Sequence, residues 1–260
     1  MQFRPCIDIH NGQVKQIVGG ALSDEGDRAQ ENFVSLRDGA YYASLYRDLG
    51  LKGGHVILLN PHTSPYYPAD LHQAKLALSA FPGGLQLGGG VTPDNAMEFL
   101  DWGASHVIVT SYVFSGGEVN WERLKKLEQV CSKHRLVLDV SCRKRDGEYY
   151  IVTDRWQKFT QVPLTPALLD RLSAYCDEFL VHGVDVEGKQ SGVELGLVKL
   201  LSSWGKIPCT YAGGIHSLED IRQIKRLGDD RIHITIGSAL DLFGGPLKQN
   251  QVLECCRTPL

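Results

Sequence analysis

The chain has 260 residues, 43% hydrophobic and 22% charged, which is a globular composition and excludes disordered, collagen-like and coiled-coil proteins. Its formal net charge of −3 leaves no basic excess for binding nucleic acid or an anionic membrane, so we expect neither partner. No apolar run approaches the roughly 20 residues that a membrane-spanning helix requires.

Short β-branched runs alternate with helix-period stretches along the whole chain. The predicted strands are residues 5–10, 55–60, 85–88, 106–110, 136–140, 179–184, 209–212 and 233–237. The predicted helices are residues 40–49, 69–80, 93–102, 121–134, 166–176, 194–203 and 218–227. Thr92 and Ser217 are expected to cap two of these helices. Eight such units in this length favour a single α/β domain over residues 1–260, a (β/α)8 TIM barrel, with an open doubly wound sheet as the alternative.

The two halves of the chain repeat each other. HVIVTS at 106–111 matches HITIGS at 233–238, and GGGV at 88–91 matches AGGI at 212–215. A looser match pairs CIDI at 6–9 with VLDV at 137–140 and keeps the aspartate. The matches follow one order and are displaced by about half the chain, which predicts two half-barrels of approximately residues 1–130 and 131–260.

Two sets of small residues follow predicted strands at the end of the barrel where active sites lie. Backbone N–H groups that glycine leaves accessible, together with hydroxyls and helix N-termini, form anion sites. Two such sites predict a ligand with two phosphates, whereas the alternative is that the glycines only form turns. The predicted phosphate-binding residues are Gly89, Gly90, Thr110 and Ser111 in one half and Gly213, Gly214, Gly237 and Ser238 in the other.

Asp8 and Asp139 end the first and fifth predicted strands, on opposite sides of an eight-stranded ring. Each lies in an apolar run, where a carboxylate is uncommon unless it is paired or functional. Two facing carboxylates in a dry pocket are suited to general acid and base catalysis. The alternative is a pair of structural aspartates that anchor loops.

Two loops have features of a functional site. The basic segment 141–147 leads into a predicted hairpin that returns to Asp154-Arg155-Trp156, where the tryptophan either stacks on a flat heterocycle or packs the hairpin core. The polar segment 19–39 exceeds the usual connection length, which favours a mobile lid.

The cysteines and histidines do not form a metal-binding pattern in the sequence. The seven cysteines contain no CxxC pair, and His10, His55, His182 and His216 are isolated from one another. We therefore expect no metal, no cofactor and a reducing compartment. The first residues lack a signal-peptide core, so the cytoplasm is expected, or the plastid stroma if the source is a plant and a transit peptide was removed.

The sequence resembles the eukaryotic-type phosphoribosylformimino-aminoimidazole carboxamide ribotide isomerases of histidine biosynthesis, over essentially its whole length. The runs that carry the resemblance are CIDIHNG at 6–12, GGGV at 88–91, LDVSCRK at 138–144 and YAGGI at 211–215. DRWQKF at 154–159 and SALDLFGG at 238–245 are similar to the plant and fungal branch in particular.

The resemblance implies a two-fold barrel that catalyses an Amadori rearrangement of a substrate with a phosphate at each end. It implies that Asp8 is the general base, that Asp139 is the general acid and that Trp156 stacks on the imidazole carboxamide. It also places Arg143 in substrate binding, and we expect the chain to act as a monomer.

Two alternatives to this function remain at this point. The sister cyclase of the next step in the pathway shares the barrel, both phosphate sites and both aspartates, but the loop at 141–144 and Trp156 favour the isomerase. A non-catalytic phospho-sugar-binding barrel would not need the two aspartates. Bacterial members differ after strand six, where this chain reads HGVDVEG at 182–188, so Asp185 and Glu187 have no assigned role.

Overall fold

Eight parallel strands and eight helices alternate along the chain in the computed structural model, which describes residues 1–17, 30–187 and 192–259. The strands of the barrel are β1 (Cys6–His10), β2 (Gly54–Leu58), β3 (Leu85–Gly88), β4 (Val107–Val109), β5 (Leu136–Asp139), β6 (Glu178–His182), β7 (Cys209–Ala212) and β8 (Ile232–Ile234). The helices are α1 (Gly39–Asp48), α2 (Tyr67–Ala80), α3 (Ala96–Asp101), α4 (Trp121–Cys131), α5 (Pro166–Leu172), α6 (Leu195–Trp204), α7 (Leu218–Leu227) and α8 (Gln249–Arg257).

The sheet closes on itself, which confirms the barrel and excludes the open doubly wound sheet. Strands β1 to β8 are neighbours in chain order, and a parallel bridge joins Phe3 to Ile234. Across this seam the Arg4 amide donates to the Ile234 carbonyl at 2.8 Å, and the Ile234 amide donates to the Gln2 carbonyl at 3.0 Å. Every barrel strand is followed by one α-helix, as the fold requires.

Capping side chains place the starts of some of the helices. Ser217 caps α7 as expected, in a capping box in which its hydroxyl accepts from the Asp220 amide at 3.1 Å. Thr92 caps the turn that leads into α3, since its hydroxyl accepts from the Asp94 amide at 3.3 Å and the Asn95 side chain accepts from the Thr92 amide at 2.8 Å, but α3 itself begins later than expected, at Ala96. Helix α8 is not among the helices predicted from the sequence.

Three groups of antiparallel strands in the described residues lie outside the eight parallel strands. Strand Gln13–Ile17 pairs antiparallel with β1 and with Glu31–Val34, and a second sheet comprises Cys142–Arg145, Glu148–Thr153 and Lys158–Pro163. Phe114–Ser115 and Glu118–Val119 form a short ribbon. Of the predicted lid at 19–39, residues 19–29 lie outside the described residues, and Glu31–Val34 is a strand.

Successive side chains of each barrel strand point alternately outward to the helices and inward to the barrel interior, so the protein has two cores. Outward-facing residues such as Phe179 pack on the helices, here against Trp204 of α6 with ring centroids 5.4 Å apart. Inside the barrel, a small apolar cluster contains Ile57, Ile108, Val137 and Leu180. No helix in the described ranges is long and apolar enough to cross a membrane.

A buried polar cluster lies in the barrel interior near the amino ends of the strands. Arg4 forms an ion pair with Glu178, and both side chains are at most 10% exposed. The Thr210 hydroxyl donates to Glu178 at 2.6 Å, and the Gln86 amide donates to its other oxygen at 3.1 Å. The cluster therefore links the chain before β1 to β3, β6 and β7.

Replacement of Arg4 should destabilise the fold strongly. The substitution Arg4→Met leaves the Glu178 carboxylate buried without its cation, a change that costs about 3–5 kcal/mol. Thermal denaturation should then show a melting temperature lower by roughly 6–20 °C. Arg226→Met, which breaks an exposed pair with Glu219, is the matched control and should cost less than about 1 kcal/mol. Equal effects of the two substitutions would contradict a structural role for the Arg4 pair.

Candidate active site

A cavity of about 310 Å³ opens at the carboxyl ends of the barrel strands. It brings together residues from both halves of the chain, as the repeat predicts. Ile57 and Ile108 of the interior apolar cluster also line it. The predicted site residues on its wall are Asp8, Gly89, Gly90, Thr110, Ser111, Asp139, Trp156, Gly213, Gly214, Gly237 and Ser238.

The glycine pairs after β3 and β7 have the same backbone conformation. The φ angles are +105° and +70° at Gly89 and Gly90, and +118° and +72° at Gly213 and Gly214. These angles favour glycine, and a Cβ atom at Gly90 or Gly214 would also collide with the neighbouring loop. The glycines therefore have a structural role whether or not they bind phosphate, and both turns present equivalent backbone to the cavity.

The cavity wall carries few fixed positive charges. Among its described residues, Arg155 is the single arginine or lysine, beside the acidic Asp8, Asp139, Asp154 and Glu187. An anionic ligand would therefore depend mainly on backbone N–H groups and hydroxyls. The Ser111 hydroxyl accepts a hydrogen bond from the Asp154 amide at 3.1 Å, so it also holds the loop above the site.

Asp8 lies in an environment that favours its neutral form. Burial raises the pKa of Asp8 to about 7, and this rise is opposed by a hydrogen bond from Gln16. The Gln16 amide donates to Oδ2 of Asp8 at 3.2 Å from the adjoining strand Gln13–Ile17. A carboxyl group with a pKa near 7 can both accept and donate a proton at neutral pH.

Asp139 has a more polar environment. Burial again raises its pKa, but hydrogen bonds from Ser141 and Thr110 act in the opposite direction. The Ser141 amide donates to Oδ1 at 2.8 Å, and its hydroxyl bonds to the same oxygen. The Ser141 hydroxyl also lies 2.9 Å from Nδ1 of His182, so a chain of hydrogen bonds joins Asp139 to the imidazole.

The His182 imidazole at the end of this series of hydrogen bonds is neutral. Burial lowers the pKa of His182 to about 4. If the Ser141 hydroxyl donates to ionised Asp139, its oxygen accepts from the His182 amide at 2.9 Å and Nδ1 of the ring carries the hydrogen. The Nε2 atom of this tautomer is then a hydrogen-bond acceptor.

Trp156 projects into the cavity from a strained turn. Asp154, Arg155 and Trp156 have φ angles of +52°, +55° and +67°, a conformation that is costly for residues other than glycine. The indole ring is 4.9 Å from the His182 ring, with an interplanar angle of 47°. Unlike the other three tryptophans, Trp156 neither belongs to the hydrophobic core nor packs against it, which favours the stacking interpretation over core packing.

The structure does not bring Arg143 to the cavity wall. Its guanidinium pairs with Asp185 at 2.8 Å and lies over the Phe159 ring. Asp185 also accepts the Lys144 amide at 2.9 Å, so this carboxylate fastens the hairpin to the loop after β6. The geometry thus gives no support to substrate binding by Arg143 and assigns Asp185 a structural contact.

Glu187 is a further wall residue. Burial and the charge of Asp8 raise the pKa of Glu187 to about 7. No donor from the described residues reaches its buried Oε2 atom. Glu187 is therefore a second acidic group, close enough to Asp8 for the two charges to interact. Its position after β6 is the one feature of the sequence that indicates a place in the site.

Sequence reasoning missed the partners of both aspartates. Gln16, Ser141 and His182 contact the aspartates or extend their hydrogen bonds, yet each comes from a different segment of the chain. Ser141 lies two residues after Asp139, a spacing that permits a local side-chain bond. Gln16 reaches Asp8 only because its hairpin folds back on β1.

Fold and site together define a class: a closed (β/α)8 barrel whose mouth holds two opposed carboxylates between two equivalent glycine turns. Comparison with known sequences identifies the family. Residues 2–245 match the profile of the family described as "Histidine biosynthesis protein". The chain belongs to this family.

Similar proteins come from plants and fungi and are named 1-(5-phosphoribosyl)-5-((5-phosphoribosylamino)methylideneamino)imidazole-4-carboxamide isomerase. A chloroplastic protein of Medicago truncatula is 52% identical, covering 97% of this chain and 81% of its own length. The Neurospora crassa protein is 45% identical and the alignment covers 94% of this chain and 93% of the relative. The Saccharomyces cerevisiae protein is 41% identical, with coverages of 98% and 97%.

The burial of Asp8 should reduce stability at alkaline pH. Its folded-state pKa is raised from 3.8 to about 7, so the contribution of this group to stability is full below pH 3.8 and is lost as pH rises through 7. Asp8→Asn removes this dependence and should be more stable than the parent by about 1–3 kcal/mol at pH 8, and by less at pH 5. Urea denaturation at both pH values measures the difference.

Asp94→Asn, at an exposed aspartate, is the matched control for this comparison. An advantage of Asp8→Asn that is equal at pH 5 and pH 8 would show that packing, not ionisation, is responsible.

Replacement of Trp156 should affect ligand binding more than stability. Because the ring lies outside the core, Trp156→Ala should leave the melting temperature nearly unchanged while weakening the stacking contact by about 0.5–1.5 kcal/mol. That loss is about a 2–12-fold weaker binding of the imidazole-containing ligand. Trp204→Ala, in the core, is the control and should cost roughly 3–5 kcal/mol of stability. A comparable stability loss in both variants, with ligand affinity unchanged, would restore the core interpretation of Trp156.

Proposed function

We propose that this chain is the isomerase that converts the formimino aminoimidazole carboxamide ribotide of histidine biosynthesis to its ribulosyl isomer. The chain is an isomerase, of the intramolecular kind that interconverts an aldose and a ketose. The observation that carries the proposal is the pair Asp8 and Asp139 in one buried cavity between two equivalent glycine turns. Relatives that match nearly the whole chain and are named as this isomerase support it.

The reaction needs a proton donor and a proton acceptor on opposite sides of the sugar. In the proposed mechanism, Asp139 gives a proton to the ring oxygen of the ribose that carries the nitrogen, and the ring opens to an imine. Asp8 then removes the proton from C2, and the resulting enolamine takes up a proton at C1 while its C2 hydroxyl loses one, which gives the aminoketose. The direction of both pKa shifts supports these roles, since burial raises the pKa of each carboxyl group above its usual value and so favours proton exchange nearer neutral pH.

The equivalent turns suit a substrate with a phosphate at each end. The Gly89-Gly90 turn and Ser111 would hold one phosphate, and the Gly213-Gly214 turn with Gly237 and Ser238 would hold the other. Binding at both ends fixes the ribose between the aspartates, which lowers the entropic cost of reaching the transition state. Thr110 has a second role here, because its hydroxyl hydrogen-bonds Asp139.

Trp156 and His182 complete the proposed site. The indole would stack on the imidazole carboxamide, and the three left-handed residues Asp154–Trp156 hold it over the cavity. Nε2 of neutral His182 would form a hydrogen bond with the substrate.

Partners and compartment follow from the same proposal. The ligand is a bisphosphorylated small molecule, and the chain works as a monomer without metal, cofactor, nucleic acid or membrane. We propose a cytoplasmic location, or the plastid stroma if the source is a plant, since the relative from Medicago truncatula is named chloroplastic.

Removal of either carboxylate should reduce turnover with the fold intact. Asp8→Asn and Asp139→Asn are nearly isosteric, and loss of a general acid or base lowers kcat by about 10²–10⁴-fold. The assay follows the formation of the ribulosyl product by chromatography, without ammonia or any partner protein. A variant that is folded and retains near-normal kcat has no place in this mechanism, and an absence of product with the parent chain would overturn the function itself.

The phosphate sites are best tested at hydroxyls, because the glycine turns are needed for the fold. Ser238→Ala removes one donor to a charged group, an interaction worth about 1.5–3 kcal/mol, and should raise KM by roughly 10–100-fold with kcat little changed. Ser203→Ala, on the exposed face of α6, should leave KM unaltered. If KM is the same for Ser238→Ala and the parent, this hydroxyl does not bind phosphate.

A further inference from the structure

Three different metal-binding side chains meet on the wall of the cavity. One ligand atom each from Cys6, Asp8 and His55 lies within 4.8 Å of the other two. Cys6 and Asp8 are alternate residues of β1, and His55 pairs with Cys6 in the parallel register of β1 and β2. All three side chains therefore point to the inside of the barrel, where they also line the cavity.

The hydrogen bonding of these groups leaves them available to a ligand. In the described ranges, neither ring nitrogen of His55 makes a hydrogen bond, although the residue is only 3% exposed. The Cys6 thiol makes long contacts only, 3.6 Å from the Gln16 amide and 3.9 Å from the Ile236 carbonyl. The His55 ring lies edge-on to the His182 ring, with centroids 6.2 Å apart, and it lines the cavity beside a thiol and a carboxylate, so a ligand in the cavity can reach all three groups.

The acidic residues around Cys6, Asp8 and His55 favour binding of a cation over an anion. The negative charges of Asp8 and Glu187 both act on Cys6, and among the described residues Arg155 is the single lysine or arginine on the cavity wall. His55 is buried, and a neutral imidazole carries a ring nitrogen whose lone pair can bind a cation. A divalent cation would displace the thiol proton and satisfy all three groups at once.

We propose that Cys6, Asp8 and His55 form a binding site for zinc or a similar borderline-soft divalent cation, and that the bound cation inhibits the enzyme. Sulfur, nitrogen and carboxylate oxygen are the donors of protein zinc sites, and three protein ligands leave a fourth position open to the cavity. Gln16 would serve as the outer partner, since its amide already bonds both Cys6 and Asp8.

Inhibition follows from the identity of one ligand. A carboxylate that coordinates a cation is no longer available to take the C2 proton, so the metal and the reaction compete for Asp8. This part rests on the proposed role of Asp8 as the base, whereas binding of the metal does not. The activity of the chain in EDTA is therefore the uninhibited reference.

Cobalt replaces zinc in such sites and reports thiolate ligation directly. The metal-free chain is titrated with Co²⁺ under reducing conditions, and a near-ultraviolet charge-transfer band that saturates at one equivalent is expected. Cys6→Ser should abolish the band, and zinc should displace the cobalt. Cys255→Ser, at a partly exposed thiol remote from the cavity, is the matched control and should keep the band. The absence of a band in the parent chain, or a band that persists in Cys6→Ser, overturns the site.

Two further variants retain the thiol. Asp8→Asn and His55→Gln should each weaken cobalt binding about tenfold or more, and circular dichroism checks that each variant is folded. Unchanged affinity in both folded variants would show that Cys6 binds the metal with other partners and would overturn the proposal.

An activity assay with zinc and EDTA tests this inference separately from the proposed function. Zinc should lower the isomerase activity of the parent chain, and EDTA should restore it. Cobalt binding in a chain without isomerase activity would leave the metal site standing and refute the function. Isomerase activity that zinc does not reduce would leave the function standing and refute inhibition through Asp8.

Discussion

The parallel contact between residues 2–4 and β8 joins the two ends of the sheet and draws Arg4 inside the barrel beside Glu178. Closure places β1 opposite β5, so that Asp8 and Asp139 face each other across one cavity instead of lying along an open edge. It also brings the two glycine turns, which are far apart in sequence, to opposite sides of the same mouth. An ion pair at one end of the barrel thus supports the geometry of a site at the other.

Removal of water is the physical basis of the chemistry at that site. Burial moves the pKa values of Asp8 and Glu187 towards neutrality, and it keeps His55 and His182 uncharged. Charged groups in such surroundings reduce the stability of the folded chain, a common feature of active sites. The interior of this barrel therefore divides into a hydrogen-bonded polar cluster around Glu178 and a cavity in which no donor from the described residues reaches the buried Oε2 atom of Glu187.

Most of the fold and about half of the site could be predicted from the sequence. Strand and helix periodicity and the internal repeat gave the barrel, because each strand buries two faces and each helix buries one. The aspartates and glycine turns were visible because they occur twice in equivalent positions. The partners Gln16 and His182 were not, since their contacts depend on strand register and on a hairpin that no local pattern specifies.

The contacts of Arg143 and of Cys6 could not be predicted from the sequence for the same reason. Substrate binding by Arg143 stays a prediction from the resemblance, whereas its contact with Asp185, which follows another strand, is visible only in the folded chain. Cys6 and His55 are widely separated in the chain, and only the pairing of β1 with β2 makes them neighbours. A pairing register is a property of the assembled sheet, so chemistry that spans two strands is not written in either one.

The contact between Trp156 and His182 has an optical consequence. Three of the four tryptophans belong to the core or pack against it, where a ligand in the cavity does not touch them. Trp156 alone lines the cavity, with its indole against an imidazole that the hydroxyl of Ser141 links to Asp139. The intrinsic fluorescence of the chain therefore contains one emitter whose surroundings change when the cavity fills, over a nearly constant background from the other three.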